Sequence, residues 1–303
     1  MKRTLALTAA LLLLALLLPL SACGKIAAPA DAGETGPLTE ADITTQAQVE
    51  ETTDLPEETG TTEAPGGETT TEASALPFTP AEVLAAYTEV MNKAKKDARH
   101  MRKLEYQFLN KEQMKFELDV INTPGFLDWL NDNLMTTKEK GLQQDQYTKG
   151  VSDMVQDLPV MHTPLGCMVK DTGAFTRATA RQLPGGNIEL TLVMKPEDNP
   201  EPAQHGASTA PSRTGQMFNP LSKAGVDDLI YKARFFITTK LEFSLRYFDC
   251  KSVLVYDPAT MQAVSLRQDY FVRINVANGK VLFINAKGSG VLEAATVCDQ
   301  FKY

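Results

Sequence analysis

The most constraining feature of this sequence is a strict alternation of apolar and polar residues in its last third. The alternation runs over fourteen residues from Phe235 to Phe248 and returns between Val264 and Val276, after a turn signal at Asp257-Pro258. A period of two residues predicts β-strands that bury one face and expose the other. Fourteen extended residues span about 45 Å at ~3.3 Å per residue, so a sheet of such strands has to twist.

Turn residues divide this region into antiparallel strands. Asn278-Gly279 predicts a hairpin turn. Gly288-Ser289-Gly290, within a last strand at 281–301, predicts a bulge or a sharp bend. Upstream, the stretches 175–182 and 188–195 flank a Pro-Gly-Gly-Asn turn and predict a further hairpin. Because one face of these strands is apolar, we expect helices to cover it.

Sequence signals for helix ends predict the helices that are expected to cover this apolar face. Thr79-Pro80-Ala81-Glu82 combines a capping residue, a proline in the first turn and a glutamate that completes a capping box. Apolar residues at helical spacing then continue to about Arg99. Further helices are predicted to begin at Thr123-Pro124, to cover 146–158, and to run from Asn219-Pro220 to Lys232.

These elements predict an α+β fold class. The expected architecture is a long curved antiparallel β-sheet packed on N-terminal and inserted helices, after a signal peptide and a disordered stalk. The folded α+β domain is predicted to comprise 78–303, with a helical part at 78–160 and a β-rich part at 161–303. A segment of 226 residues is long enough for one large domain or for two small lobes that share a core.

The first residues predict export from the cytoplasm. A basic start precedes an apolar run of Leu and Ala that extends to Leu20, the pattern of a secretory signal peptide. The run ends in Leu20-Ser21-Ala22-Cys23, which resembles the lipobox of bacterial lipoproteins. The resemblance implies that the signal peptide 1–22 is removed and that Cys23 becomes an N-terminus acylated with palmitate-like chains. Two acyl chains suffice for stable anchoring. Ordinary secretory cleavage near Ala22 and an uncleaved membrane helix are the alternatives.

The segment that follows the lipobox has the composition of a disordered stalk. Residues 24–77 contain no aromatic side chain and hold 12 acidic residues against one lysine, Lys25. Such a segment cannot bury enough apolar surface to offset its chain entropy. A Thr-rich motif recurs every nine residues between 52 and 74, which is typical of a spacer. We therefore predict that 23–77 is a lipidated stalk, with a glycosylated or partner-binding tail as the alternative.

The remaining 226 residues are close to neutral, with 27 basic and 26 acidic side chains. This balance argues against a nucleic-acid partner. One local cluster of cations follows the first predicted helix and is a candidate site for anionic lipid head groups or wall polymer. A solvated helix end, whose cations complement the helix C-terminus, is the alternative. The cluster comprises Lys93, Lys95, Lys96, Arg99, Arg102 and Lys103.

Three cysteines remain once Cys23 carries lipid: Cys167, Cys250 and Cys298. An odd number outside the cytoplasm leaves at least one thiol unpaired within the chain. Cys250 and Cys298 belong to the same predicted sheet, which makes them the candidate disulfide. Three buried reduced cysteines are the alternative.

The sequence shows no local catalytic motif. Gly-x-Ser-x-Gly, Ser-x-x-Lys, His-Glu-x-x-His and a phosphate loop are all missing, and the three histidines lack metal-ligand spacing. We therefore predict no catalytic residue, no metal ligand and no cofactor, and expect that the chain is not an enzyme. A hydrolase with a site assembled from distant residues is a further hypothesis.

The stalk, the helix at Thr79–Lys96 and late strands such as Ser252–Gln268 resemble surface lipoproteins of Gram-positive anaerobes that have no assigned activity. This resemblance favours a Gram-positive-type surface, with the domain lipid-anchored at the extracytoplasmic face of the cell membrane. The first functional hypothesis is a non-catalytic binding module for a hydrophobic or lipid-like ligand held between the sheet and the helices. A filled core there is the competing interpretation. The alternative function is an envelope structural or interaction protein that binds wall polymer or an exported partner.

Overall fold

The alternating stretches of the sequence form the centre of one antiparallel sheet, and the fold class is α+β as predicted. The computed structural model describes residues 74–117, 124–125, 127–128, 131, 144–232, 242–281, 284–285 and 287–303. The predicted signal peptide, Cys23, the stalk up to residue 73 and the alternating residues 235–241 lie outside the described residues. Within the described ranges, no helix has the length and apolar character needed to cross a membrane.

The elements whose bounds the structure gives are three α-helices and twelve strands. Residues 124, 125, 127, 128 and 131, within the helix predicted to begin at Thr123-Pro124, are helical as well. The helices are α1 (Pro80–Asp97), α2 (Val151–Asp157) and α3 (Lys223–Lys232). The strands are β1 (Ser74–Leu76), β2 (His100–Leu109), β3 (Lys115–Phe116), β4 (Gln144–Lys149), β5 (Phe175–Gln182), β6 (Ile188–Met194), β7 (Glu197–Asp198), β8 (Glu242–Asp257), β9 (Gln262–Asn278), β10 (Lys280–Val281), β11 (Ile284–Asn285) and β12 (Gly288–Lys302).

The main sheet has the strand order β1-β5-β6-β8-β9-β12-β2-β4, and every neighbouring pair is antiparallel. The short strand β3 pairs with β12, and β7 pairs with β8. Because β2, β3 and β4 lie within 78–160, that part is not simply helical as the sequence predicted. The expected helix at 146–158 is divided between β4 and α2, with Gly150 between them at a φ of 132°.

The start of the folded part also differs from the prediction. Residues 74–76, which the composition assigned to the stalk, form β1 and pair with the last residues of β5. The sequence pattern missed this strand because it is only three residues long and lies beside a polar segment. The pairing with β5 gives Ser74–Leu76 its backbone partners.

Local turn signals predicted most strand ends correctly. The β5–β6 hairpin closes at Gly185 and Gly186, which adopt φ values of 89° and 90° that favour glycine. At the β8–β9 turn, the carboxylate of Asp257 accepts hydrogen bonds from the amide of Ala259 at 2.8 Å and the hydroxyl of Thr260 at 2.9 Å.

The turn predicted at Asn278-Gly279 is wrong. Antiparallel pairing continues past Gly279, because Lys280 pairs with Asn285 and Val281 pairs with Ile284. The chain therefore reverses between Val281 and Ile284. Further along, Gly288 allows a close approach of β3. A Cβ atom at Gly288 would lie 2.5 Å from the carbonyl oxygen of Lys115.

A β-bulge divides β8 into two halves that bury opposite positions. Before the bulge the odd-numbered Phe243, Leu245 and Tyr247 are buried, whereas after it the even-numbered positions from Cys250 to Tyr256 are buried. The pairing with β9 shifts between Phe248 and Lys251, and Asp249 adopts a φ of 48°. The extra residue restores the apolar face to the interior over a strand of sixteen residues.

Helix α1 covers one face of the sheet, which we call the inner face. The predicted capping box is present, since Thr79 accepts from the Glu82 amide and Glu82 accepts from the Thr79 amide. The helix contacts β5, β6, β9 and α2. At its centre the hydroxyl groups of Tyr87 and Ser252 lie 2.8 Å apart in a buried hydrogen bond. The buried side chains of α1 are Val83, Leu84, Tyr87, Val90, Met91, Ala94 and Lys95.

Candidate functional site

A row of side chains crosses the opposite face of the sheet, which we call the outer face. Its members are successive strand partners, so they stand side by side across six strands. Its two small side chains, Val193 and Ala295, lie between larger ones. The row runs Arg177 (β5), Val193 (β6), Lys251 (β8), Asp269 (β9), Ala295 (β12) and Tyr106 (β2).

A pocket of about 470 Å³ opens over this row. We call it the outer-face groove. It is lined by all members of the row except Ala295, together with Asp249, Arg267, Tyr270, Phe271, Glu293 and Ala294. Two bulges flank the groove, one in β5 between Phe175 and Arg177 and the other in β8 at Asp249. Bulges re-aim side chains and are frequent beside binding sites.

The floor of the groove is held by an ion pair between Arg267 and Asp269. The Arg267 guanidinium donates to the Asp269 carboxylate at 2.7 Å and also donates to the Tyr106 hydroxyl. The Lys251 ammonium lies 3.8 Å from the same carboxylate. The hydrogen bond to Asp269, together with the charge of its carboxylate, raises the pKa of Arg267 above its ordinary value although burial opposes this shift.

Aromatic rings form the adjoining part of the groove. Phe271 stacks on Phe248 with 5.5 Å between ring centroids, and the Arg273 guanidinium lies 5.3 Å from the Phe248 centroid. Glu293, the β12 partner of Phe271, accepts a hydrogen bond from the side-chain amide group of Asn110 at 2.7 Å. Flat apolar surface beside fixed charges is the usual lining of a ligand site.

The charges of the groove are sorted by position along the strands. Arg177 and Lys251 belong to the row, and Arg267 lies two residues from it along β9. Asp249 and Glu293 lie on the opposite side of the row, beside Phe271. Asp269 stands among the cations but is already paired with Arg267. The side chains of Arg177 and Asp249 are exposed and form no hydrogen bond or ion pair within the described part of the chain.

The chemistry of the groove suits recognition. It presents fixed carboxylates and cations but no nucleophile paired with a base. Among the described residues, no group of three or more His, Cys, Asp or Glu side chains is placed to hold a metal ion. The arrangement can neutralise charges of both signs and can pack against a ligand's apolar parts.

The cationic cluster predicted from the sequence does not form one exposed patch. Lys95 and Lys103 are buried, with 1% and 2% of their surface exposed. Arg102 forms a bidentate pair with Asp299, and Lys93 donates to the carbonyl oxygen of Thr260. Only Lys96 and Arg99 are exposed among the six. The sequence predicts a single cluster, whereas the fold buries two of its members, Lys95 on α1 and Lys103 on β2.

The buried lysines lie where the end of α1 meets the end of α2. The Lys95 ammonium donates to the carbonyl oxygens of Val155 at 3.0 Å and Val160 at 2.8 Å. Burial lowers the pKa of Lys95 to about 7, and the neighbouring charge of Lys103 acts in the same direction. Burial also acts to lower the pKa of Lys103, but the 2.7 Å ion pair with Glu105 outweighs it and raises that pKa.

The predicted disulfide between Cys250 and Cys298 is not formed. Cys250 lies on β8 and Cys298 on β12, with β9 between them. Two strand spacings are ~10 Å, which exceeds the separation that a disulfide spans. Cys167, Cys250 and Cys298 are all free and buried. Burial raises the pKa of the Cys298 thiol to about 12, so this thiol is unreactive at neutral pH.

Comparison with known proteins provides no further assignment: no family model, no curated protein and no solved structure matches this chain. The outer-face groove is therefore the feature from which a function can be inferred. The sequence signal for it was the polar face of β9, where Arg267 and Asp269 alternate with apolar residues.

We predict that Lys95 makes stability dependent on pH. Because its pKa is lowered in the folded chain, the unfolded chain binds more protons between pH 7 and 10.5. Stability should therefore rise with pH across this window by up to about 1.4 kcal/mol per pH unit, and fall as the pH is lowered towards 7. Urea unfolding of wild type, Lys95→Met and the exposed control Lys96→Met measures this effect.

The titratable groups around Lys95 are Lys103, Asp157, His162 and Cys298. Lys96→Met should keep the wild-type slope, whereas Lys95→Met should lose it. Lys95→Met also leaves the carbonyl oxygens of Val155 and Val160 without this donor, at a cost of about 1–3 kcal/mol each. A constant difference between wild type and Lys95→Met at every pH would show that Lys95 does not titrate in this window.

Proposed function

We propose that this protein is a non-catalytic binding module of the cell envelope that captures a polar, charge-bearing envelope ligand in the outer-face groove. The observation that carries the proposal is the row of side chains across six strands, three of them charged, with a pocket of about 470 Å³ above it. Pockets of this size accommodate small ligands or one segment of a polymer.

The inner face offers less support for the lipid-like ligand that the sequence first suggested. A side chain that lined a ligand-sized cavity would retain accessible surface. Val83, Tyr87 and Val90 of α1 have 0% exposure, and so do Leu254 and Leu266 on the facing strands. Along this contact the space between helix and sheet is filled. The alternative hypothesis of an interaction protein is therefore the better supported one.

The anchoring part of the proposal rests on the lipobox. A diacylated Cys23 would hold the domain at the extracytoplasmic face of the cell membrane, on a stalk that ends near β1. A flexible stalk of about fifty residues has an r.m.s. reach of roughly 40 Å. The proposal also includes the finer architecture, in which the sheet curves around α1. That curvature would leave the outer-face groove facing away from the helix, open to wall polymer or to an exported partner.

We predict that charge reversal in the groove weakens ligand binding. Soluble fragments of wall polymer should bind the mature chain in isothermal titration calorimetry, and Arg177→Glu should lower the affinity at least about tenfold, because repulsion replaces attraction. Lys195→Glu, on the exposed surface just past β6, is the matched control and should change affinity less than about twofold. Equal affinities for the two variants would remove the groove from the proposal.

We also predict that Cys23 is the acylated residue. Metabolic labelling with palmitate should mark the wild-type chain, and mass spectrometry should place the mature N-terminus at Cys23. Cys23→Ala should take up no label, because no thiol remains at the lipobox. Cys167→Ala is the control and should be labelled like wild type. Persistent labelling of Cys23→Ala would contradict the anchor.

A further inference from the structure

The groove contains two charged side chains of opposite sign that have no partner within the described residues. Arg177 and Asp249 are both exposed, and each lies beside a bulge that turns it towards the pocket. Asp269, by contrast, is paired with Arg267, and the Lys251 ammonium lies 3.8 Å from its carboxylate. Arg177 and Asp249 therefore mark the two ends of the region in which a ligand meets unpaired side-chain charge.

The spacing of these ends limits the size of a matching ligand. Arg177 on β5 and Asp249 on β8 are two strands apart in the sheet. Neighbouring strands are ~4.8 Å apart, so the two positions are separated by ~10 Å across the sheet. An extended peptide advances ~3.3 Å per residue, so the two ends of a peptide of about three residues are separated by a similar distance.

Both signs of charge are needed to match the groove. A purely anionic polymer would pair with Arg177 and Lys251 but would face repulsion from Asp249 and Glu293. A neutral saccharide would leave the charges at both ends without a counterion. A zwitterion pairs with both, and its ammonium group would also lie close to the face of Phe271, where the ring attracts cations.

We propose that the outer-face groove binds a short peptide with free termini. Its carboxylate pairs with Arg177 on β5, and its ammonium group pairs with Asp249 on β8. Its backbone crosses β6 above Val193. This assignment rests on the proposed function, since it names the ligand of the same groove.

The test uses alanine peptides of two to four residues with the mature chain in isothermal titration calorimetry. Trialanine should bind best, and N-acetylation or C-amidation should each weaken binding at least about tenfold, as expected for the loss of a charge-assisted contact. Arg177→Ala should weaken binding of the free peptide but not of the C-amidated one. Asp249→Asn should weaken binding of the free peptide but not of the N-acetylated one. Asparagine is a suitable replacement because it tolerates the positive φ of Asp249.

The outcomes separate this inference from the proposed function. Equal binding of free and blocked peptides would overturn the assignment of the termini. Binding of peptide-free wall glycan that Arg177→Glu abolishes, with no binding of any peptide, would overturn the peptide and leave the groove as the ligand site. No binding of either probe would overturn both proposals. A short zwitterionic peptide is supported if Arg177→Ala weakens binding only of peptides with a free carboxylate and Asp249→Asn weakens binding only of peptides with a free ammonium group.

Discussion

The contact between α1 and the inner face of the sheet is the interaction on which the rest of the structure depends. Each fully buried apolar side chain at this contact contributes about 1.5–3 kcal/mol, and the hydrogen bond between Tyr87 and Ser252 fixes the helix over the centre of β8. The bulge at Asp249 keeps the apolar side chains of β8 in the interior on both sides of it, including the half that carries Ser252. Because the inner face is filled along this contact, the proposed recognition takes place on the outer face. The bulge that fits β8 to the helix also places Asp249 in the groove.

Elements that depend on neighbouring residues could be predicted from the sequence. The capping box at Thr79, the β5–β6 hairpin and the turn at Asp257 each depend on a few adjacent side chains. Elements that depend on distant partners could not. Strand β2 pairs with β4 on one side and with β12, nearly two hundred residues away, on the other. At Gly279 the local turn signal was outweighed by continued pairing of the strands beyond it.

The candidate site was less predictable than the fold. The groove combines side chains from β2, β5, β6, β8, β9 and β12, and no two of the strands that supply Arg177, Lys251 and Glu293 are adjacent in the sequence. Their juxtaposition follows from strand order and register, which the sequence pattern does not contain. The buried lysines show the converse error. The sequence predicts Lys95 and Lys103 as members of one cationic cluster, but Lys95 is buried where α1 packs on α2 and Lys103 is buried on β2. Backbone carbonyl groups are the partners of Lys95, and Glu105 is the partner of Lys103.

Native mass spectrometry of the chain from residue 24 onward, exported through a cleavable secretory signal and purified without detergent, tests the central claim most directly. That claim is that α1 fills the inner face and that recognition takes place outside it. The account predicts a mass equal to that of the polypeptide, or that mass plus a polar ligand that is lost when Arg177 is replaced by Glu. A co-purified apolar molecule that organic solvent extracts, and that Arg177→Glu leaves in place, would contradict the account, because it would show a lipid held between helix and sheet.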